Sequence, residues 1–342
     1  MRRLLSLFSS FAVVLSLCYC LTGCNHLDEA DLSVQQRREV RFTFSVAGTK
    51  APATGCEEDV LTVDVFVFRQ KDGALDARLT SQGLGPVTVD VLSGLAMDWV
   101  VVANAPSSSL DGVTSLSDLL SRKVMLEDNT MNSLVMFDSG SWGVEGPVGM
   151  ITVNLRRYVS KVTVQSLRLK WLDAFSTAPE VILKQIALIN VNGSIGFDGL
   201  PSCGAVWYNR LGVETGLSSS LARMVSVPFG LQLHDSSPIC VDSPLYAMPN
   251  PVPTVRESDT APLWSERATM IVVELFVDGY PNWYSVALPS MACNCHYVVN
   301  NLVITGPGSR IAGGRIERQP VQCEIVVSPW DEATSGVVFP VN

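Results

Sequence analysis

Apolar and polar residues alternate with a period of two over much of the chain, the pattern of half-buried β-strands. Val40, Phe42, Phe44 and Val46 alternate with Arg41, Thr43, Ser45 and Ala47, which gives that segment one apolar face. Gly48-Thr49-Lys50-Ala51-Pro52 then breaks it. Leu61 to Phe68 becomes apolar on both faces, as a strand inside a sandwich would be, and Lys71-Asp72-Gly73 turns the chain after it. Val87 to Val91, Trp99 to Ala103, Ile151 to Leu155 and Val159 to Leu169 predict further strands. The second half continues with Val181 to Val191, Met270 to Val277, Trp283 to Leu288, Tyr297 to Ile304 and Val321 to Val327. One short helix is predicted over Ser115 to Lys123, where Ser115 can cap and Leu116, Leu119 and Leu120 share a face.

These elements predict an all-β protein with one or two short helices. Arg156-Arg157 falls between two strands, and the domain junction is placed there. The expected divisions are 1–23 as an exported leader, 24–50 as a tether with the first strand, 51–157 as one β-sandwich, and 158–342 as a second. No internal repeat is legible as sequence similarity.

The amino end changes the picture. Arg2 and Arg3 precede an apolar run from Leu4 to Leu21 that closes on Leu21-Thr22-Gly23-Cys24, the pattern of a bacterial lipoprotein signal. Cys24 is the expected lipidation site, with palmitate among its acyl chains. Several acyl chains on one cysteine would hold the protein at the outer membrane. Asp28, Glu29 and Asp31 follow it, either as a signal for surface display or as a solvated tether.

The chain carries 24 basic and 33 acidic residues, a net charge of −9, which repels phosphate backbones and excludes a nucleic-acid partner. Beyond Cys18, Cys20 and Cys24, six cysteines remain: Cys56, Cys203, Cys240, Cys293, Cys295 and Cys323. Their pairing is not fixed by sequence. Cys293-Asn294-Cys295-His296 has no second ligand pair, so it reads as strand thiols or a local disulfide rather than a zinc site. Glu57-Glu58-Asp59 reads as a solvated carboxylate run, with calcium the lesser reading. No metal and no cofactor is expected.

There is no nucleophile elbow, dinucleotide fingerprint or phosphate loop, and Thr305-Gly306-Pro307-Gly308-Ser309 lacks the lysine a phosphate cradle needs. His234 and His296 have no recognisable nucleophile motif to serve, so no catalytic residues are expected.

Two distant stretches carry a resemblance. His296 to Gly308, Val321-Gln322-Cys323 and Val327-Ser328-Pro329-Trp330 resemble the closing region of the fimbrillins, lipoprotein-derived subunits of type V pili in Gram-negative anaerobes. The first half agrees in order, through the alternating strand, Lys50-Ala51, Asp72-Gly73 and Val100 to Pro106, and Tyr246-Ala247-Met248-Pro249-Asn250 fits a further position. The match is thin from Phe175 to Tyr246.

The resemblance implies two transthyretin-like sandwiches, an adhesive pilus, and assembly by donor-strand exchange after a protease removes the first strand. The cut is expected between Lys50 and Ala51, with a cut after Arg38 as the alternative. Lys50 stands where arginine is expected, so an arginine-specific protease would spare it. The groove would be the one vacated by Val40, Phe42, Phe44 and Val46, and the donor would be Val337, Phe339 and Val341. The implied partners are further copies or other pilus subunits, the outer membrane, a maturation protease, and a host or bacterial surface ligand. Rival readings are an uncleaved anchor or tip subunit, an exported hydrolase, and a glycan-binding lipoprotein using Trp142, Trp171, Trp264 and Trp283.

Overall fold

The computed structural model describes residues 36–47, 57–146, 150–172, 175, 179–202, 204–209, 223–234, 237–252, 268–310, 321–330 and 337–341. Its first half contains strands β1 (Arg37–Val46), β2 (Thr62–Arg69), β3 (Leu75–Gln82), β4 (Val87–Leu92), β5 (Met97–Ala103), β6 (Lys123–Met125), β7 (Met136–Trp142) and β8 (Met150–Arg157). Two short helices, α1 (Ser107–Leu110) and α2 (Leu116–Ser121), lie between β5 and β6. The Ser115 side chain accepts the Asp118 N–H at 3.1 Å, the cap its position predicts.

Seven of these strands run β3-β2-β5-β7-β8-β1-β4, bending at a two-residue contact in which Met136 and Phe137 face Arg157 and Arg156. β2 is buried on both faces, as its pattern requires. Gly140 in β7 is fixed by packing: a Cβ there would lie 2.5 Å from the Trp99 ring.

The second half contains β9 (Ser160–Leu169), β10 (Val181–Ile189), β11 (Val191–Asn192), β12 (Ser194–Gly196), β13 (Trp207–Tyr208), β14 (Ser226–Leu233), β15 (Ile239–Ala247), β16 (Met270–Val277), β17 (Tyr280–Ala287), β18 (Cys295–Ile304), β19 (Val321–Pro329) and β20 (Val337–Val341). They form a sheet β14-β10-β16-β17 and a sheet β15-β9-β18-β19-β20. The expected strand over Val181 to Val191 is interrupted at Asn190, whose φ of 54° turns the backbone.

The two halves have the same strand plan. In the first, β1 lies between antiparallel β4 and parallel β8. In the second, β9 lies between antiparallel β15 and parallel β18. The other sheets also correspond, with β3-β2-β5-β7 matching β14-β10-β16-β17 in order and antiparallel sense. The halves join through β6, which pairs with β12, and through Tyr158, stacked on Phe137 at 4.2 Å and donating to the Phe197 carbonyl at 2.9 Å.

Candidate assembly site

β1 is an interior strand with a divided ladder. Arg37 to Phe42 pair with β4, and Arg41 to Val46 pair with β8, so only Arg41 and Phe42 have ladder partners on both sides. Val40, Phe42 and Val46 are buried at 1%, 0% and 4% exposure, while Phe44 is only half-buried. Phe42 meets the Trp99 ring edge-on at 6.0 Å. Burying three such side chains contributes roughly 1.5–3 kcal/mol each. β4 has no ladder partner except β1 among the described residues, so removing β1 leaves β4 unpaired and a slot between β4 and β8.

Arg37 and Arg38 belong to β1, which begins ahead of the alternation at Val40. Arg37 donates to the Asp90 carbonyl at 2.6 Å, and Arg38 donates to the Glu145 carbonyl at 3.1 Å while its Cα faces Val91 in the ladder. Cys24, Lys50 and Ala51 lie outside the described residues. Ala47 and Glu57 bound the segment that holds Lys50 and Ala51.

At the other end of the chain, β20 pairs antiparallel with β19 as the outermost strand of its sheet. Val337, Phe339 and Val341 stand opposite Val327, Ile325 and Cys323, and Pro340 stands opposite Glu324. Proline is tolerated at such an edge.

A partly buried cluster that sequence reasoning did not assemble gathers around Arg157. Arg157, 1% exposed, donates through Nη1 to the Ala47 carbonyl at 2.9 Å and through Nε to the Glu57 carbonyl at 3.3 Å. Its backbone N–H donates to Asn294 Oδ1 at 3.1 Å, and its guanidinium lies 4.7 Å from the Trp330 ring centroid. Trp330 stacks on Tyr246, and its backbone N–H donates to the Asn294 carbonyl at 2.9 Å. Lys161 pairs with Glu57 at 2.8 Å, and the Tyr246 hydroxyl donates to the other Glu57 oxygen.

Glu57 is therefore an engaged carboxylate and not a solvated or calcium-holding one. Burial pushes its carboxyl up, but hydrogen bonds from Lys161 and Tyr246 and the charges of Lys161 and Arg157 outweigh that and hold it below the usual range. Tyr246 is pushed up by burial and by the Glu57 charge. Arg156 and Arg157 close β8 rather than lying between strands, with Arg157 its last buried position, and Asn294 takes a φ of 53° at the turn facing it.

The remaining candidates are scattered. The Cys293 thiol donates to the Gly199 carbonyl at 3.3 Å and burial pushes it up to about 12, so it stays protonated. His296 Nε2 is 2.8 Å from Thr163 Oγ1, and burial, reinforced by the Lys161 charge, pushes it down to about 4. No group of metal-binding side chains is present among the described residues. Trp142 is buried, Trp171 and Trp283 are half-buried, and Trp264, Cys56 and Cys203 fall outside the described residues.

The backbone as a whole has close counterparts. A fimbrilin, FimA, from Porphyromonas gingivalis W83 superposes with a TM-score of 0.60 at 13% identity, over 85% of this chain and 97% of that one. The chain has the fimbrilin fold. A candidate cell adhesion protein from Bacteroides eggerthii matches with a TM-score of 0.61 at 15% identity, over 86% of this chain and 96% of that one. The tip fimbrial protein Mfa3 of P. gingivalis, with a C-terminal truncation, gives a TM-score of 0.50 at 15% identity, over 86% of this chain and all of its own 100%. No family model and no curated protein matches the sequence.

Proposed function

We propose that this protein is a structural subunit of an adhesive surface pilus, exported as a lipoprotein through Cys24 and polymerised by exchange of its first strand for the terminal strand of another copy or another pilus subunit. The division into a sandwich over 51–157 and a second over 158–342 belongs to the same reading. The observation that carries it is the place of β1. A strand whose apolar face is buried, whose removal orphans β4, and whose carboxyl end leads into Lys50-Ala51 is the strand to excise if an unpaired edge is to accept another chain.

The position of Arg38 favours the cut at Lys50. Its peptide bond lies inside a ladder, whereas a protease needs several residues of free extended chain. A cut after Arg38 would also leave Val40 to Val46 attached and open no slot. The fimbrilin likeness supports a pilus, and β20 at a sheet edge supports the donor, because an edge strand can leave without disrupting an interior ladder. The protein acts at the cell surface, with the outer membrane holding the precursor.

Amino-terminal sequencing of surface-assembled protein tests the reading. The expected first residue is Ala51. A start at Glu39, or a lipidated Cys24 on assembled protein, supports an anchor that keeps β1. A Cys24→Ala chain should lose lipid label and membrane fractionation.

A further inference from the structure

We infer that the outer edge of β8, from Met150 to Asn154, pairs antiparallel with the same edge of a second copy of this chain, about a two-fold axis at Thr152. The contact leaves β1 and β20 where they are, so it joins copies sideways and is separate from strand exchange. The pairing stands on its own. Its use, holding neighbouring pili side by side, rests on the reading of the protein as a pilus subunit.

Natural sheets protect a free edge with proline, charge, a bulge or a covering segment. Among the described residues, β14, β15 and β20 carry Pro228, Pro244 and Pro340. β17 is covered at Trp283 by Ser309, with which it exchanges backbone bonds of 2.8 and 2.9 Å. β3 and β4 are latched to each other, since Asp76 of β3 accepts the Leu92 N–H of β4 at 3.0 Å. β8 differs: Met150-Ile151-Thr152-Val153-Asn154 has no proline, no charge and no register break. It meets β7 on that side only through Arg156 and Arg157. The corresponding strand of the second sandwich, β18, has its equivalent edge covered by β19, which runs antiparallel to it.

The backbone fixes which groups face outward. The Leu155 carbonyl accepts the Ala47 N–H at 2.9 Å, so Ile151, Val153 and Leu155 turn their backbone groups toward β1. Met150, Thr152 and Asn154 turn theirs away, and of these the Asn154 N–H is held by Asp138 Oδ2 at 2.8 Å. A two-fold axis at Thr152 sets that residue against its own counterpart, where the pair exchanges both bonds. It also sets Met150 against Asn154, where the Met150 N–H donates to the Asn154 carbonyl and the Asn154 N–H keeps Asp138. The three side chains are exposed, Met150 at 55%, and they meet across the axis without opposing like charges. So short a ladder is weak for a single pair of copies. It gains strength where copies repeat along two neighbouring filaments.

Sedimentation equilibrium tests the pairing on the chain from residue 24, with β1 retained and Cys24→Ala in place so that lipid drives no association. The mass should rise toward that of a dimer with concentration, and amides of 150–154 should gain protection from hydrogen exchange as it does. Thr152→Glu sets like charges against each other and should weaken self-association about tenfold or more, as should Thr152→Lys, while an equimolar mixture of the two should restore it. A chain that stays monomeric overturns the proposal, and the edge then takes a strand of a different protein or none. So does a dimer that Thr152→Glu leaves intact. In electron micrographs, pili of Thr152→Glu subunits should lie singly where those of the unaltered chain run side by side, and equal bundling overturns the lateral role. An unaltered chain that forms no pili would overturn the pilus reading instead and leave the sedimentation result standing.

Discussion

The first strands of the two sandwiches occupy the same place in the same plan and are held differently. β9 pairs with β15 and β18 at once at four of its ten residues, Lys161, Val162, Val164 and Leu167, spread along the strand. β1 shares that position, but its ladder is split end to end between β4 and β8, with double pairing at Arg41 and Phe42 alone. β9 also continues from β8 through Tyr158 and Val159, both fully buried. A strand fixed on both edges and at its start is part of the scaffold. A strand fixed on alternate edges is the one that the proposed exchange would withdraw.

The largest test of that contrast is removal. A chain starting at Ala51 should lose roughly 5–9 kcal/mol from the first sandwich, from Val40, Phe42 and Val46 together, and regain most of it when the 36–47 peptide is added. Urea unfolding read by fluorescence, with and without peptide, measures this, and full stability without peptide would break the comparison.

Phe42→Ala should come next. It is the doubly paired, fully buried residue against Trp99, and its loss should cost about 3–5 kcal/mol in the intact chain.

A third test reads the second sandwich by pH. The folded-state value of His296 lies near 4, below the 6.5 of a free histidine, so between those values the unfolded chain binds the proton and the folded chain does not. Stability should therefore fall as pH drops from 6.5 toward 4, by about 3 kcal/mol in all, and His296→Gln should flatten that slope. Glu57 acts lower: depressed in the fold, its contribution is present above about 4.5 and is lost as pH falls further. Unfolding midpoints at a series of pH values separate the two.

Phe44→Ala sharpens the contrast at the small end. Half-buried and paired only to β8, it should cost about 1 kcal/mol, and an effect as large as that of Phe42 would mean that the strand is held evenly.

What sequence could show of this follows from how each part is built. β1, β2, β5, β8 and β9 were legible because their side chains alternate, or run apolar, against a fixed core. β3, β7, β14 and β15 are not legible in the pattern. β3 and β14 are edge strands with few buried positions, β7 spends Gly140 on the Trp99 ring, and β15 breaks register twice against β9. The repeat of the strand plan is invisible because ladders record direction and order, which side-chain identity does not. Individual residues of the junction could be singled out, among them Trp330 and Tyr246, but not the cluster, because it gathers Ala47, Glu57, Arg157, Lys161, Tyr246, Asn294 and Trp330 from separate segments.

The short connection from Ala47 to Glu57 sets a timer on reactivity. While it is whole, β1 is supplied to its slot from within the same molecule, at an effective concentration on the order of millimolar for so short a link. A neighbour's strand arriving at micromolar levels would have to compete against that, so on the proposed reading an uncut subunit would not accept it. On the proposed reading, cutting the link would make β1 a separate peptide, and its advantage would fall to that of any other strand in solution. One broken bond, with no change in any contact, turns a private partner into a public vacancy.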